Sequence, residues 1–273
     1  MRIFNNEEQQ EIIKLYFKEK MTLKFIRTKF ACREEAIKNV LIKNNIPIIK
    51  RRSKNKFLNE DYFSSIDTEE KAYILGLLFT DGNISLDNKR QPNIRLSLKL
   101  SDVDILLKIK EELNLDCSLI YDKRENKECA TLSFRSKKIA DDLNNYNIIP
   151  NKTYLIKHLP KINEKFLSHF LRGLIDGDGS IYWNKKIKSW CIDFTSYNKE
   201  ICEDFHNIIN KLINKTNALS IKNYGSSFHV RWQSKKDSKK IMEVLYKNNN
   251  ISIARKNRLA NAILEDKSGE DIV

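Results

Sequence analysis

The sequence predicts an α+β protein built from two copies of one half-domain, each ordered helix, strand, strand, helix, strand, strand, helix, behind a small three-helix module. Three observations carry that expectation. The run Ile74-Leu75-Gly76-Leu77-Leu78-Phe79-Thr80-Asp81-Gly82 returns as Leu171-Arg172-Gly173-Leu174-Ile175-Asp176-Gly177-Asp178-Gly179. Strict apolar–polar alternation follows each copy, which is the period of a half-buried strand. Five of the seven glycines, Gly76, Gly82, Gly173, Gly177 and Gly179, fall within the two runs, where they permit close approach of backbone to backbone.

Residues 1–46 read as helices over Glu7 to Glu19, Thr22 to about Phe30, and Arg33 to Asn45, with Thr22 as an N-cap. Ile12, Leu15, Tyr16, Ile26, Phe30, Ala36, Val40 and Leu41 supply a small core, and the lysine-rich third helix resembles that of a helix-turn-helix module. A packing bundle with a solvated charged face is the plainer alternative. Residues 47–66 follow as a basic linker in which Lys50, Arg51 and Arg52 are placed to track phosphates.

The first half-domain is expected over 67–158 and the second over 159–273. Asp67-x-x-Glu70 suggests a capping box for the first motif helix, and the second runs from about Glu164. Ile94, Leu96, Leu98 and Leu100 alternate with Arg95, Ser97 and Lys99; Ala130, Leu132 and Phe134 alternate with Thr131, Ser133 and Arg135. In the second half Trp190, Ile192 and Phe194 alternate with Cys191, Asp193 and Thr195, and Phe228, Val230 and Trp232 with His229, Arg231 and Gln233. Ser101 and Ser196 are the expected N-caps of the helices that follow. Such sheets carry helices on one face and leave the other wet.

Fifty Lys and Arg against 36 Asp and Glu give a net charge of +14, which points to a polyanionic partner, nucleic acid before a membrane surface. No stretch is long and apolar enough to span a bilayer, and the first residues lack the apolar core of a signal peptide, so an intracellular location is expected, in a bacterial or phage-infected cell or an organelle. Five scattered cysteines without a CxxC pair argue against a disulfide framework or a zinc site. No histidine stands at metal-ligand or triad spacing. The wet strand faces carry Arg95, Ser97, Lys99, Thr131, Ser133, Arg135, Arg231 and Gln233, with Lys186, Lys188 and Lys222 nearby in the second half. These are side chains that hydrogen-bond base edges in a major groove and phosphates beside it.

Gly76 and Gly173 remove side chains where the two motif helices would cross, which sets Asp81 and Asp178 side by side at two helix C-termini. Two carboxylates added to two negative dipole ends are unfavourable until cations arrive. Oxygen-only ligands in small number suit Mg²⁺, or another divalent cation such as Mn²⁺ or Ca²⁺. A single Asp-Gly after a helix is more often an ordinary turn; two in corresponding places change the balance.

The two runs resemble the LAGLIDADG motifs of homing endonucleases in their single-chain, two-motif form, over about residues 67 to 260. That resemblance implies a saddle of two antiparallel sheets lying in the major groove of double-stranded DNA, with two active sites cutting opposite strands across the minor groove. It implies metal binding at Asp81 and Asp178, with Gly82 and Gly179 beside them, and a charge-stabilising base near the end of each fourth strand. Arg135 or Lys137 and Lys235 or Lys236 are the aligned candidates, with Lys152 and Lys256 second. Phe79 and Thr80 depart from the pattern, while Asp176 keeps it. The implied activity is divalent-metal-assisted, site-specific double-strand cleavage by a monomer that is intron-encoded or free-standing. The alternatives are an RNA maturase assisting intron splicing, or a non-cleaving DNA-binding regulator.

Overall fold

The computed structural model describes every residue except 1, 3, 20, 22, 49–56, 89, 125, 126, 217, 218, 272 and 273. Lys50, Arg51 and Arg52, and the expected cap Thr22, lie outside the described residues.

The first helix, α1 (Asn6–Ile13), is capped by Asn5, whose side chain accepts from Glu8 N at 2.8 Å while Glu8 Oε2 takes Asn5 N at 3.0 Å. This reciprocal box satisfies two otherwise orphaned donors. The helix then widens into a π turn at Lys14–Lys18, so the single helix expected over Glu7 to Glu19 is a composite. With α2 (Leu23–Lys29) and α3 (Glu34–Lys43) it encloses a core of Ile12, Leu15, Tyr16, Ile26, Phe30, Ile37 and Leu41.

The motif helix α4 (Glu69–Asp81) begins at Thr68, whose hydroxyl accepts from Lys71 N at 3.2 Å. The expected Asp67 box does not form, because Asp67 pairs instead with the Lys71 ammonium at 2.7 Å and with Ser65 at 2.7 Å. After it come β1 (Gly82–Asp87), β2 (Arg90–Lys99), α5 (Val103–Glu112), β3 (Ile120–Arg124), β4 (Lys127–Arg135), α6 (Lys137–Asn144) and the short α7 (Lys152–Leu155). The second series is α8 (Glu164–Asp178), β5 (Gly179–Asn184), β6 (Ser189–Ser196), α9 (Lys199–Leu212), β7 (Ile221–Tyr224), β8 (Ser227–Trp232), α10 (Lys235–Leu245) and α11 (Ala254–Leu264).

Among the described residues the strands form two four-stranded antiparallel sheets in the orders β1-β2-β4-β3 and β5-β6-β8-β7. The same order in both, with Gly82 opposite Leu96 and Gly179 opposite Phe194, is the structural counterpart of the sequence repeat. Ile94, Leu96, Leu98, Ala130, Leu132 and Phe134 are buried, and so are Trp190, Ile192, Phe194, Val230 and Trp232. α9 covers the apolar face of the second sheet: Phe205 stacks on Phe194 with centroids 4.1 Å apart and meets Trp232 edge-on at 6.0 Å.

Three local expectations give way to tertiary demands. Leu100 belongs to a 3-10 turn, Leu100–Asp102, that places Asp102 rather than Ser101 before α5. Asn198, not Ser196, precedes α9; Ser196 Oγ accepts from Asn198 N at 3.2 Å. Cys191 and Asp193 are buried although they alternate with the core side of β6, and Asp193 is covered by Arg231 and His229.

The chain divides into two compact units, Met1–Asn59 with Ser97–Phe134, and Glu60–Leu96 with Arg135–Val273. Both motif helices, their aspartates and the two lysines beside them lie in the second, and Ser97, Lys99, Thr131 and Ser133 lie in the first.

Candidate active site

The middle of neither motif helix has a polar face to give water: Ala72 to Phe79 in α4 and Phe170 to Asp176 in α8 are buried. They bury these faces on each other. A Cβ added to Gly76 would strike the Phe170 carbonyl oxygen and stand 3.0 Å from Gly173 Cα; one added to Gly173 would strike the Tyr73 carbonyl and stand 2.9 Å from Gly76 Cα. The crossing is therefore backbone against backbone, and only glycine fits there. At the C-terminal ends the approach stays close, since a Cβ on Gly177 would lie 2.6 Å from Asp81 Oδ2.

Asp81 thus faces the last turn of α8, beside Asp178. Burial raises the Asp81 carboxyl above the usual carboxylate range, against the Thr80 hydroxyl 3.2 Å from Oδ2 and the charges of Lys256, Lys152 and Arg255. For Asp178, crowding by protein and then the like charge of Asp81 raise the carboxyl to about 6, against Lys152 and Lys256. Asp178 nevertheless remains exposed to solvent, so water relieves part of the crowding. The repulsion belongs to the pair, and its direction is upward for both carboxylates.

Two lysines close the site. Lys152 Nζ donates to Thr80 O at 3.0 Å and to Gly82 O. Lys256, 3% exposed, donates to Ile175 O at 2.5 Å, Asp176 O at 2.7 Å and Gly179 O at 2.7 Å. Each ammonium donates to carbonyls at the C-terminal end of a motif helix and opposes the negative end of its dipole. Burial holds the Lys152 ammonium below its ordinary range, opposed by Asp178 and Asp81.

Behind Lys256 is a buried clamp. Asp176, 1% exposed, accepts Tyr73 Oη at 2.7 Å, Tyr246 Oη at 2.5 Å and Ile253 N at 2.7 Å. It thereby ties α4, α8 and α10 to the residue from which α11 and Lys256 start. Arg172 reinforces the same corner, donating to Ile251 O at 3.0 Å and Leu245 O at 2.9 Å.

The structure reorders the basic candidates. Lys137, Lys235 and Lys236 are exposed at the first turns of α6 and α10. Lys235 lies 3.5 Å from Asp266, and Arg135 donates to Gln91 O at 2.6 Å. The second-ranked Lys152 and Lys256 are the ones whose charge reaches both aspartates. The Gly82 and Gly179 carbonyls, expected beside metal, accept from the Lys152 and Lys256 ammonium groups. The sign available in the sequence was that both lysines follow the last helix of a repeat; nothing there marked Tyr73 and Tyr246 as partners of Asp176.

On the sheets Arg95, Ser97 and Lys99 are exposed, while Thr131, Ser133 and Arg135 are half-buried. Ser97 and Thr131 hydroxyls pair at 2.7 Å. Lys186, Lys188, Lys222 and Gln233 are exposed, but Arg231 is held by Asp193 through Nε at 2.8 Å and through Nη2.

The fold and its site define a class: α+β proteins in which twinned helices carry a pair of adjacent aspartates. Residues 165–246 match the family model of the LAGLIDADG-like domain. Among curated proteins it is similar to the uncharacterized proteins MJ0314 and MJ0398 of Methanocaldococcus jannaschii. The first is 32% identical over 55% of this chain and 56% of that protein, the second 25% over 71% and 72%. The match thus spans little more than half the length of MJ0314. Among solved structures, the LAGLIDADG meganuclease I-AabMI bound to uncleaved DNA aligns with 12% identity and a TM-score of 0.47, covering 73% of this chain and 90% of that one. The N-terminal LAGLIDADG domain of DUF199/WhiA aligns with 15% identity and a TM-score of 0.47, covering 78% and 98%.

A carboxyl raised in the folded chain favours folding in its protonated form: the contribution is complete below the unfolded value near 3.8 and is lost as pH climbs through about 6. Calorimetry in chelator is therefore expected to give chain and Asp178→Asn similar melting temperatures below the unfolded value near 3.8, with the variant increasingly the more stable as pH rises to about 6 and the gap constant above it. Added divalent cation should close the gap; a difference independent of pH would count against the charged pair.

Proposed function

We propose that this protein is a site-specific double-strand DNA endonuclease that works with a divalent cation. The observation that carries the reading is the adjacency of Asp81 and Asp178 at two helix ends, each end held by its own lysine. The donor set fits Mg²⁺, because two carboxylates offer oxygen donors in small number, the kind of site in which that ion keeps water and takes phosphate oxygens. Asp81 and Asp178 would hold the cation, which would supply Lewis acidity for phosphodiester hydrolysis by water.

The chain's own residues do the rest. Asp81 and Asp178 fix where the reacting phosphate sits, and their raised carboxyls lose protons more readily as positive charge approaches. Lys256 has carbonyl acceptors for all three of its N–H bonds and keeps α8 and its aspartate in place. Lys152 has two such acceptors, which leaves one N–H for a phosphate oxygen and the charge that grows there. The exposed polar faces of the strands supply Arg95, Ser97, Lys99 and Gln233 for duplex DNA, and Phe134, Phe194 and Trp232 are buried rather than offered to single-stranded bases.

Selection from a library of random duplexes is the test. Recovery of one long site, cut on both strands with Mg²⁺ and intact in chelator, is the expected result; specific binding without cutting in any divalent cation overturns the nuclease reading in favour of a regulator. Deleting residues 1–55 should weaken DNA binding and flatten its salt dependence by about 0.9 in log–log slope for each phosphate no longer neutralised. An unchanged slope would make the helical module a packing bundle.

A further inference from the structure

One flank of the site carries two aromatic rings with no packing role in the core. Tyr154, on α7, is 71% exposed and Tyr197, after β6, is 47% exposed, yet their rings meet edge to face at 5.3 Å. The backbone around them is pinned. Asn198 precedes α9 but makes no side-chain cap; its Nδ2 donates instead to Thr153 O at 3.1 Å and to Ile156 O, binding α7 to the turn that bears Tyr197. Tyr197 lines a small cavity together with Lys152, Thr80 and Asp178. Tyr197 therefore shares a cavity with the Asp178 carboxylate and with the lysine that has a spare donor, and the Tyr154 ring packs on Tyr197.

The matching places in the other half hold different chemistry. Counted from Gly82 opposite Leu96 and Gly179 opposite Phe194, Lys99 takes the register of Tyr197; counted from the two carbonyl-binding lysines, Arg258 takes that of Tyr154. A lysine and an arginine suit phosphates. Two tyrosines suit a base face, and in an intact duplex base faces are hidden by stacking.

We infer that Tyr154 and Tyr197 form a stacking platform for a nucleobase unstacked from the duplex beside the phosphate that Asp178 serves. The inference rests on the nuclease reading for its substrate, but its signal is binding and needs no cleavage. The platform gives the site a polarity, with the distorted step of the DNA on the tyrosine side.

The test uses the full chain in chelator and two duplexes of one arbitrary sequence, one fully paired and one carrying 2-aminopurine as a single-base bulge. Tighter binding of the bulged duplex, by about tenfold, with quenching of 2-aminopurine emission, is expected. Tyr154→Ala and Tyr197→Ala should lose both effects while binding the paired duplex as before, and Phe at either position should keep them. Both residues are exposed, so unchanged melting temperatures are expected for all four variants. Equal affinity for the two duplexes, or preference and quenching that survive both alanine changes, overturns the platform. Tyrosine-dependent binding of single-stranded RNA in preference to the bulged duplex overturns the DNA assignment. If cleavage is never found but the tyrosine-dependent preference is, the nuclease reading fails and the platform stands.

Discussion

Asp178→Asn is expected to keep DNA binding and to lose cleavage of at least one strand, with the rate falling roughly 10²- to 10³-fold, the scale of removing one preorganised charge from a reacting centre. The variant keeps the shape of the side chain and the helix end, which is fixed by Lys256 through backbone carbonyls and not through the aspartate. It also removes the repulsion with Asp81, so affinity for DNA should hold or improve. Quantitative footprinting and single-turnover cleavage separate the two effects. Wild-type cutting by Asp178→Asn would remove the catalytic assignment, and lost binding would assign Asp178 a positioning role instead.

Asp176→Ala is the substitution expected to cost most stability. Three donors, Tyr73 Oη, Tyr246 Oη and Ile253 N, converge on one buried carboxylate, and truncation leaves them in the interior without an acceptor. Each such orphan costs about 1–3 kcal/mol, so a loss of roughly 3–5 kcal/mol is expected, and a fall in melting temperature of roughly 10 °C or more. Asp176→Asn, which keeps one oxygen, should lie between. A denaturation midpoint for Asp176→Ala within error of the parent chain would mean that the clamp adds nothing. Because Ile253 leads directly into α11, the alanine variant should also loosen Lys256, seen as faster amide exchange over the first turn of that helix.

The sheets and the paired motif helices were legible because both rest on periodicity: Ile94-Leu96-Leu98 and Ala130-Leu132-Phe134 bury the faces their spacing assigns. Glycine placement carried equal information, since Gly76 and Gly173 sit at the one crossing where a Cβ has no room. What the sequence concealed was decided by partners distant along the chain. Asp67 satisfied the spacing of a capping box, but a lysine one turn away took it and left Thr68 to cap. Asp193 read as solvent-facing and is covered by Arg231 and His229 from the neighbouring strand. Lys137 and Lys236 were favoured by proximity to strand ends, whereas Lys152 and Lys256 reach the aspartates because each returns to the end of the motif helix in its own repeat. Linear spacing could not rank those four. Asp176 showed only as a familiar position in a motif, and its clamp required coordinates.

That each repeat fastens its own helix terminus has a consequence for descent. A single copy would already contain the glycine notch, the acid and the lysine that holds it, and its notch is complementary to itself. Such a half could pair with a twin about a two-fold axis and make the same acid pair from one gene of half the length. Fusing the copies then frees each to change alone, which is the condition under which one flank could acquire tyrosines while its counterpart kept positive charge.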